Sequence, residues 1–255
     1  MDLVQRELFN MKIALVCIAK NEDNYIQEWI DYHKKLGYDD IFIYQNNWRC
    51  QIEEPNVIKI EYDGEVRQVP AYNDFIQKNK TNYDWVSFFD VDEFLVLKKH
   101  KNIKEFIQDY QDFDGIGVNW ILFGDNNLTG VTDEYSVIKR FTKRQLGVNE
   151  HIKSTIKLTN DVIMGVHAPD NKMLCNTNKE LFSGSFNRNT LDDIAQINHY
   201  FCKTREEFIE KINRGRSDTY QKRNIDEFDA HNINEIEDVT ALKFIHNDNN
   251  NLLNT

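Results

Sequence analysis

The feature that most constrains this chain is a buried-strand pattern that runs directly into acidic residues. Residues 85–89, Trp-Val-Ser-Phe-Phe, read as a strand covered on both faces. Asp90, Asp92 and Glu93 follow at once, and residues 94–97 form a second apolar run. An acidic turn in solvent is the ordinary interpretation of an Asp-x-Asp pair. Acids fixed between two apolar runs instead need a partner, because an unpaired carboxylate is costly to bury.

Asp90 and Asp92 are the pair that such a partner would bind. On an extended backbone, carboxylates two residues apart point the same way and repel each other unless one is protonated or a cation lies between them. A divalent metal ion would remove that repulsion. Oxygen ligands suit Mg²⁺ or Mn²⁺, which keep positions open for water and substrate phosphates. We therefore expect Mn²⁺ or Mg²⁺ as a cofactor held by these two aspartates.

Strand and helix patterns alternate along the chain before this stretch. Apolar runs at 11–18, 41–44 and 57–60 predict three strands, so that 85–89 is the fourth. The helices between them would bury Tyr25, Ile26, Trp29, Ile30, His33 and Leu36 in the first, and Ala71, Tyr72, Phe75 and Ile76 in the second. This order predicts an α/β fold with a mostly parallel sheet and helices on both faces.

The ends of the predicted strands locate the expected site. Ligands of such sheets bind beyond the carboxyl ends of the strands. Residues 20–22, Lys-Asn-Glu, follow the first strand, and Asp90 and Asp92 follow the fourth, so both segments should face one crevice. Asn21 is also the expected N-cap of the first helix, and Gly37 its expected stop.

The second half of the chain is less regular. Strands are predicted at 115–123, 135–141, 154–158, 162–167 and 194–200. Residues 168–190 show no period, which predicts a mobile or ligand-ordered loop. A capping box that runs from Thr204 to Glu207 opens a helix with Phe208 facing inward, and Gly215 ends it.

Charge and composition exclude several classes of protein. A net charge of -11 argues against nucleic-acid binding, since phosphate backbones select basic surfaces. No apolar run approaches the ~18 residues of a membrane-spanning helix, so we expect no transmembrane segment, although peripheral membrane association remains compatible with the sequence. The first ten residues lack the apolar core of a leader, and the four cysteines show no CxxC spacing. We expect a cytoplasmic protein, with the inner face of the membrane as the other location.

The phosphate-binding loops of two common nucleotide folds are absent. A dinucleotide fold would carry G-x-G-x-x-G after its first strand, and a P-loop protein G-x-x-x-x-G-K-[ST], and the sequence has neither. A haloacid-dehalogenase-type phosphatase uses Asp-x-Asp directly after its first strand, whereas this pair follows the fourth. A metal ion held by the aspartates can supply the missing contact to phosphate.

Four segments together resemble glycosyltransferases of the GT-A fold, and within it the family-2-like and family-92-like enzymes. They are residues 18–22, 68–74, 89–94 and 198–204. The resemblance implies a Rossmann-like GT-A sheet followed by an irregular C-terminal region on the acceptor side. It also implies a nucleotide-sugar donor, for which we expect a UDP-sugar, a divalent cation on Asp90 and Asp92, and inversion at the anomeric carbon.

The resemblance assigns expected roles to individual residues. The nucleotide-sugar-binding positions would be Ala19, Lys20, Asn21, Glu22, Gln68, Tyr72, Asn73, Asp90, Val91 and Lys203. His199 would be a third metal ligand, with His151 and His167 as the other histidines to consider, although a packed histidine is the ordinary interpretation of each. The cations that could contact phosphate are Lys20, Lys153, Lys203, Arg214 and Arg216, although a surface position is the ordinary interpretation of any one of them.

An inverting transfer also needs a base that takes the proton of the acceptor hydroxyl. Asp125 is the expected base, because it follows the strand at 115–123, where Trp120 could form an aromatic floor for a sugar ring. Glu150 is the rival. The ordinary interpretation of Asp125 is a turn former in Gly-Asp-Asn-Asn.

The chain is therefore predicted to be one glycosyltransferase domain at 11–225, with a C-terminal extension at 226–255. Its nucleotide-sugar half would span about 11–97 and its acceptor half about 98–225. The predicted activity is that of a metal-dependent, inverting hexosyltransferase that acts on a glycan or lipid-linked acceptor in bacterial surface-polysaccharide assembly. A sugar nucleotidyltransferase and a non-catalytic protein that binds nucleotide sugars or glycans are the alternatives.

Overall fold

The computed structural model describes residues 10–130 and 134–247. Its first half contains the predicted strands and helices in the predicted order. They are β1 (Ile13–Ala19), α1 (Ile26–Leu36), β2 (Asp40–Gln45), β3 (Val57–Glu61), α2 (Gln68–Asn79) and β4 (Trp85–Phe88). Strand β4 is therefore the predicted strand that precedes Asp90, Asp92 and Glu93.

The second half is built from shorter elements. They are β5 (Glu93–Leu97), α3 (Ile103–Gln108), β6 (Gly115–Leu122), α4 (Val137–Arg140), β7 (Lys143–Arg144), β8 (Ile152–Lys157), β9 (Leu174–Cys175), β10 (Leu181–Phe182), β11 (Ala195–His199), α5 (Arg205–Arg214), α6 (Asp226–His231), β12 (Ile236–Glu237) and α7 (Thr240–His246). Among the described residues, no helix combines the length and apolar character that a bilayer crossing requires.

The main sheet has the strand order β10-β9-β6-β8-β4-β1-β2-β3. Strand β1 runs parallel to both β2 and β4, and β2 runs parallel to β3. Strand β8 is antiparallel to β4 and β6, between which it lies. Strand β6 continues into a second set of pairs, in which β11 is parallel to β6 and antiparallel to β5. The predicted α/β fold with a mostly parallel sheet is confirmed.

The apolar run of β1 is buried on both faces of the sheet. Ile13, Leu15 and Cys17 belong to one core cluster, together with residues of α1. Ala14 and Val16 belong to a second cluster, together with residues of α2. Because strand side chains alternate between faces, helices on both sides explain why the run shows no polar position among these residues.

The first helix buries the predicted residues but begins later than predicted. All six side chains of the predicted inner face are buried, and Gly37 takes the left-handed conformation at the C-terminal end, with φ of 101°. The N-cap is Tyr25 rather than Asn21, and it makes no side-chain capping bond. Asn21 instead has φ of 53° in the loop that follows β1. Arg214, the last residue of α5, donates hydrogen bonds to the backbone oxygens of Lys20 and Asn21. These bonds link the loop to α5.

Two strand predictions in the second half are wrong. Residues 135–141 contain the short helix α4, because the side chain of Ser136 accepts a bond from the Lys139 N–H and starts a helical turn. Residues 162–167 form no strand, only an isolated bridge between Met164 and Pro169. The segment 168–190, predicted as a loop without period, carries the two-residue strands β9 and β10.

The other second-half predictions are confirmed. Residues 115–122, 152–157 and 195–199 are strands that overlap the predicted ones. Both hydrogen bonds of the predicted capping box are present at the start of α5, which buries Phe208 and ends at Gly215.

The segment after residue 225 packs on the rest of the molecule as far as it is described. Phe228 of α6 lies against Phe208 of α5, with ring centroids 5.5 Å apart. Strand β12 pairs with β7, and Phe244 of α7 packs on Tyr32 of α1. Residues 248–255 of the predicted C-terminal extension lie outside the described part. The domain boundary at 225 stays a prediction.

Candidate functional site

A cavity of about 550 Å³ opens where β1 and β4 end. Eight of the residues expected to bind nucleotide sugar or metal line it, namely Ala19, Lys20, Glu22, Gln68, Asp90, Val91, Asp92 and His199. The two strand ends therefore face one crevice, as the sequence predicts. A volume of this size is typical of a small-molecule site.

Asp90 is held between a helix and a strand. Gln68, the first residue of α2, donates from Nε2 to Asp90 Oδ1 at 2.8 Å. Lys153 of β8 donates from Nζ to Asp90 Oδ2 at 2.9 Å. The Asp90 side chain is one third exposed, at 33%, so the carboxylate lies at the cavity wall with both oxygens already bonded.

Lys153 is buried completely and connects Asp90 to a second acid. Its Nζ lies 3.4 Å from Glu93 Oε2, and both the Lys153 and the Glu93 side chains are 0% exposed. Burial raises the pKa of Glu93, and only part of that rise is opposed by the charge of Lys153. Burial lowers the pKa of Lys153, but Asp90 and Glu93 outweigh it and raise the pKa overall. Lys153 is therefore a cation beneath the cavity, not one that lines it.

Asp92 faces different neighbours. Lys211 of α5 donates from Nζ to Asp92 Oδ2 at 2.6 Å, and His199 Nε2 lies 3.7 Å from Oδ1. Burial alone would raise the pKa of Asp92, but Lys211 and, less strongly, His199 hold it well below its usual range. Burial lowers the pKa of Lys211 to about 8. Lys211 was not predicted, although its spacing of three residues from Phe208 places it on the buried face of α5.

The expectation that the two carboxylates lie on an extended backbone is wrong. Residues 91 and 92 form a turn, closed by a hydrogen bond from the Glu93 N–H to the Asp90 carbonyl oxygen at 3.0 Å. The Asp90 N–H in turn donates to Glu93 Oε2 at 2.8 Å. Each aspartate can therefore reach a lysine of its own, and mutual repulsion is relieved without an ion between them.

The structure leaves fewer candidate ligands for a metal ion than the sequence predicts. The described residues contain no group of three or more His, Cys, Asp or Glu side chains that could hold a metal ion. The expected set of Asp90, Asp92 and His199 does not form such a group, and Gln68 and Lys153 already donate to the two oxygens of Asp90. Asp92 Oδ1 and His199 Nε2 remain, at a separation too long for a hydrogen bond. These two atoms fit one edge of a Mn²⁺ or Mg²⁺ site that water and substrate phosphates would complete.

Three histidines surround Trp120 of β6 inside the cavity. The ring centroid of Trp120 lies 4.9 Å from that of His151, 5.2 Å from that of His167 and 4.3 Å from that of His199. Burial lowers the pKa of His199 to about 3 and that of His167 to about 2, and it also lowers the pKa of His151. All three rings are therefore neutral near pH 7. The other two histidines considered as metal ligands lie against this tryptophan.

Basic side chains line much of the remaining wall. They are Lys20, Lys211, Arg214, Arg216, Lys222 and Arg223. Arg214 pairs with Glu22, and Arg216 pairs with Glu227 at 2.7 Å. Of the predicted phosphate contacts, Lys20, Arg214 and Arg216 are thus at the cavity.

Three other expected nucleotide-sugar residues are placed elsewhere. Tyr72 is fully buried against Phe88, with its hydroxyl 2.9 Å from Gln68 Nε2. Asn73 is a structural link, because its side chain bonds the backbone of Met164 as both donor and acceptor. The Nζ of Lys203 lies 3.5 Å from the ring centroid of Tyr25. None of the three lines the larger cavity, although the Tyr72 hydroxyl also donates to Asp90 Oδ1 at 3.4 Å and so supports the site from behind.

Asn21 and Lys203 belong to a smaller neighbouring cavity. It has a volume of about 380 Å³ and also contains Tyr25, Glu207, Lys211 and Arg214. Lys211 and Arg214 therefore lie between this cavity and the larger one.

Neither predicted base lines the cavity. Asp125 is buried and accepts hydrogen bonds from Asn232 at 2.9 Å and Asn234 at 3.1 Å, so its carboxylate fixes the C-terminal segment. Glu150 is 56% exposed at its side chain, and its nearest ionic neighbour is Arg188 at 3.9 Å. The residues on either side of it, Asn149 and His151, do line the cavity.

Comparisons with known proteins point to one family. Residues 50–239 match the family model Glycosyltransferase family 92. The chain is 27% identical over 226 residues to a family 92 protein of Arabidopsis thaliana, an alignment that covers 80% of this chain and 37% of the relative. A family 92 protein of Oryza sativa subsp. japonica is 27% identical over 221 residues, with 80% and 36% covered. This chain thus spans well under half the length of the curated relatives it matches.

Similarity to solved structures is low. The crystal structure of HddC from Yersinia pseudotuberculosis aligns with 10% identity and a TM-score of 0.32, over 57% of this chain and 73% of that one. The 4-diphosphocytidyl-2C-methyl-D-erythritol synthase of Anaerococcus prevotii aligns with 10% identity and a TM-score of 0.32, over 58% and 71%.

Proposed function

The chain belongs to glycosyltransferase family 92, and from that premise we propose that it transfers a sugar from a nucleoside-diphosphate sugar to a hydroxyl group of a glycan or lipid-linked acceptor, with inversion at the anomeric carbon. The observation that carries the proposal is the single cavity in which Asp90, Asp92 and a set of basic side chains meet at the strand ends. A UDP-sugar is the proposed donor, and assembly of a surface polysaccharide is the proposed setting.

The charges of the cavity support a diphosphate ligand. The chain has a net charge of -11, yet six basic side chains gather along this wall. Lysine and arginine donate to phosphate oxygens, and arginine does so through two nitrogens at once. A diphosphate near Lys211 and Arg214 would find cations from α5, which also contact Asp92 and Glu22.

The leaving group gains negative charge as the sugar departs, so groups near it stabilise the transition state more than the ground state. Lys211 Nζ and the basic residues of the wall would donate to the diphosphate oxygens. Asp92 Oδ1 and His199 Nε2 would hold a divalent cation, which when bound acts as a Lewis acid on the diphosphate. Asp90 would keep Gln68 and Lys153 in place and present its exposed edge to the donor.

The aromatic ring of Trp120 supports a sugar beside this diphosphate site. Its ring lies next to His199, which faces Asp92, and also next to His151. The part of the indole that remains exposed to the cavity suits the C–H groups of a hexose, whereas neutral histidines can hydrogen-bond its hydroxyls. The sugar would then lie between the diphosphate and the acceptor.

The products formed from a panel of nucleotide sugars test the proposal. The purified protein is incubated with Mn²⁺, each donor and a set of glycan acceptors, and the nucleotide products are separated. Release of nucleoside diphosphate together with a glycosylated acceptor is the expected result. Pyrophosphate formation would indicate a nucleotidyltransferase instead, and saturable binding of a nucleotide sugar without turnover would indicate a binding protein.

A further inference from the structure

The acids that line the cavity leave the base of the proposed transfer unassigned. Glu22, Asp90, Asp92 and Glu227 are each paired with a lysine or an arginine. The other two acids that line the cavity are Glu65 and Asp218. They belong to two segments that meet at the first turn of α2, where the Gln68 N–H donates to the Ser217 carbonyl oxygen. The titratable side chains that contact the Trp120 ring are instead the imidazoles of His151, His167 and His199.

His151 is held in one orientation by the residue two positions before it. His151 Nδ1 lies 2.9 Å from Asn149 Oδ1, and the backbone N–H of His151 donates to the same oxygen at 2.9 Å. The backbone N–H requires an acceptor, so the amide of Asn149 must present its oxygen here. That oxygen can only accept, and therefore Nδ1 carries the ring proton. The lone pair of His151 is on Nε2, the atom that a general base uses.

The backbone around this pair is fixed to the sheet. The Asn149 N–H donates to the Trp120 carbonyl oxygen, and the Trp120 N–H donates to the His151 carbonyl oxygen, both at 2.9 Å. Asn119 Nδ2 donates to the carbonyl oxygen of Asn149, also at 2.9 Å. A base supported in this way keeps its ring position without help from the substrate.

Two aromatic rings set the position of the imidazole in the cavity. His151 stacks on Trp120 with an angle of 15° between the rings, and it also packs against Phe186, with centroids 4.4 Å apart. The same Trp120 ring contacts His199, which faces Asp92. A sugar held beside Trp120 with its diphosphate towards Asp92 would thus share the cavity with the His151 ring.

The protonation state of His151 is that of a base. Burial and the nearby His231 lower its pKa, and the opposing effect of Glu150 is smaller. A further titratable neighbour is His167, whose ring centroid is 5.8 Å away and which is itself neutral near pH 7 because burial lowers its pKa. The ring is therefore free to accept a proton near pH 7.

We propose that His151, oriented by Asn149, is the general base of the sugar transfer; this inference rests on the proposed function. Nε2 takes the proton of the acceptor hydroxyl while that oxygen forms a bond to the anomeric carbon. The bond from the anomeric carbon to the diphosphate oxygen breaks, and its electron pair leaves with the nucleoside diphosphate. The imidazolium then returns its proton to water.

The test compares His151→Gln with Glu150→Gln in the donor-panel assay. His151→Gln should lower kcat by about 10²-fold or more, with the affinity for the nucleotide sugar within about 3-fold of wild type. Glu150→Gln should stay within about 3-fold in both. Loss of activity in Glu150→Gln alone, or a kcat for His151→Gln close to wild type, would overturn the assignment.

The pH profile of Asn149→Asp supplies a readout that a structural role would not change. The kcat/KM of the wild type should fall below pH 6.5 as the imidazole is protonated. A carboxylate on Nδ1 favours the imidazolium, so Asn149→Asp should move this acidic limb to higher pH by about 1 unit. An unmoved limb contradicts the proposal. A wild type that releases no nucleoside diphosphate from any donor would instead overturn the proposed function itself.

Discussion

The surroundings of Asp90 and of Asp92 differ more than their separation of two residues suggests. Asp90 is bonded by Gln68 and Lys153, from the helix and strand next to β4, and Lys153 also meets a second buried acid. Asp92 meets Lys211 and His199, which come from the C-terminal part of the chain more than 100 residues later. Both carboxylates line the same cavity, and the Asp90 side chain is 33% exposed whereas that of Asp92 is 11% exposed. The difference lies in the origin of their partners, which are close to β4 for Asp90 and in the C-terminal part of the chain for Asp92.

Removal of Lys153 should produce the largest loss of stability. Lys153→Met leaves Asp90 and the fully buried Glu93 without their cation, and breaking a buried pair costs about 3–5 kcal/mol. Urea unfolding monitored by fluorescence measures the change. Lys104→Met is the matched control, since Lys104 and its partner Asp39 are 23% and 30% exposed at their side chains and the substitution should cost about 1 kcal/mol or less. Equal losses would remove the distinction between the buried pair and an ordinary surface pair.

The position of α5, and with it the Asp92 environment, depends on Glu207. Its carboxylate pairs with Arg140 at 2.7 Å and accepts a bond from the Tyr25 hydroxyl. Burial alone would raise the pKa of Glu207, but these partners lower it to about 2 from 4.5. Because the folded pKa is the lower one, the stabilisation is present above pH 4.5 and lost as the pH falls towards 2.

Glu207→Gln should therefore lower the free energy of unfolding by about 3 kcal/mol at pH 7. The difference from wild type should shrink steadily in unfolding experiments between pH 5 and pH 2.5. Glu206→Gln, next in the chain but exposed, is the control and should change little. A difference that does not depend on pH would show that the charge of Glu207 is not what stabilises α5.

His199 should contribute the smallest of these effects. If Asp92 Oδ1 and His199 Nε2 hold a cation, His199→Ala should weaken Mn²⁺ binding about 10-fold, which is about 1.4 kcal/mol. Calorimetric titration in the presence of nucleoside diphosphate measures it. His167→Ala is the control, because His167 also contacts Trp120 but forms no ion pair with Asp92 among the described residues. An unchanged affinity would make His199 a packing residue of the cavity wall.

The difference between these two environments also explains what the sequence could predict. Strands β1 to β4 show as apolar runs because both faces of each are covered, and the Asp90 side of the site follows directly from them. The capping box of α5 is a local signal and was equally visible. Helix α4 was mistaken for a strand, since only four residues form it and its cap at Ser136 outweighs their β-branched character.

The partners of the site residues could not be predicted because they are contacts between distant segments. No local pattern joins Lys211 to Asp92, 119 residues before it, or Lys153 to Asp90, 63 residues before it. Asp125 is a further example, since its position after a strand predicts a catalytic acid, whereas in the structure Asn232 and Asn234 donate to its carboxylate. Residue type and spacing located the cavity, whereas the tertiary fold determined which groups in it remain available.

The transfer rate of Asp92→Asn tests the central claim most directly. The substitution keeps the size of the side chain but removes the charge that Lys211 and His199 face. With donor, acceptor and Mn²⁺ present, the rate of nucleoside diphosphate release should fall at least about 10³-fold. Excess EDTA should have the same effect on the wild-type protein. The assay is run well below the unfolding midpoint of the variant, which should be lower than that of wild type because Lys211 loses its buried partner. Normal release by folded Asp92→Asn, or by the wild type in EDTA, would contradict the account.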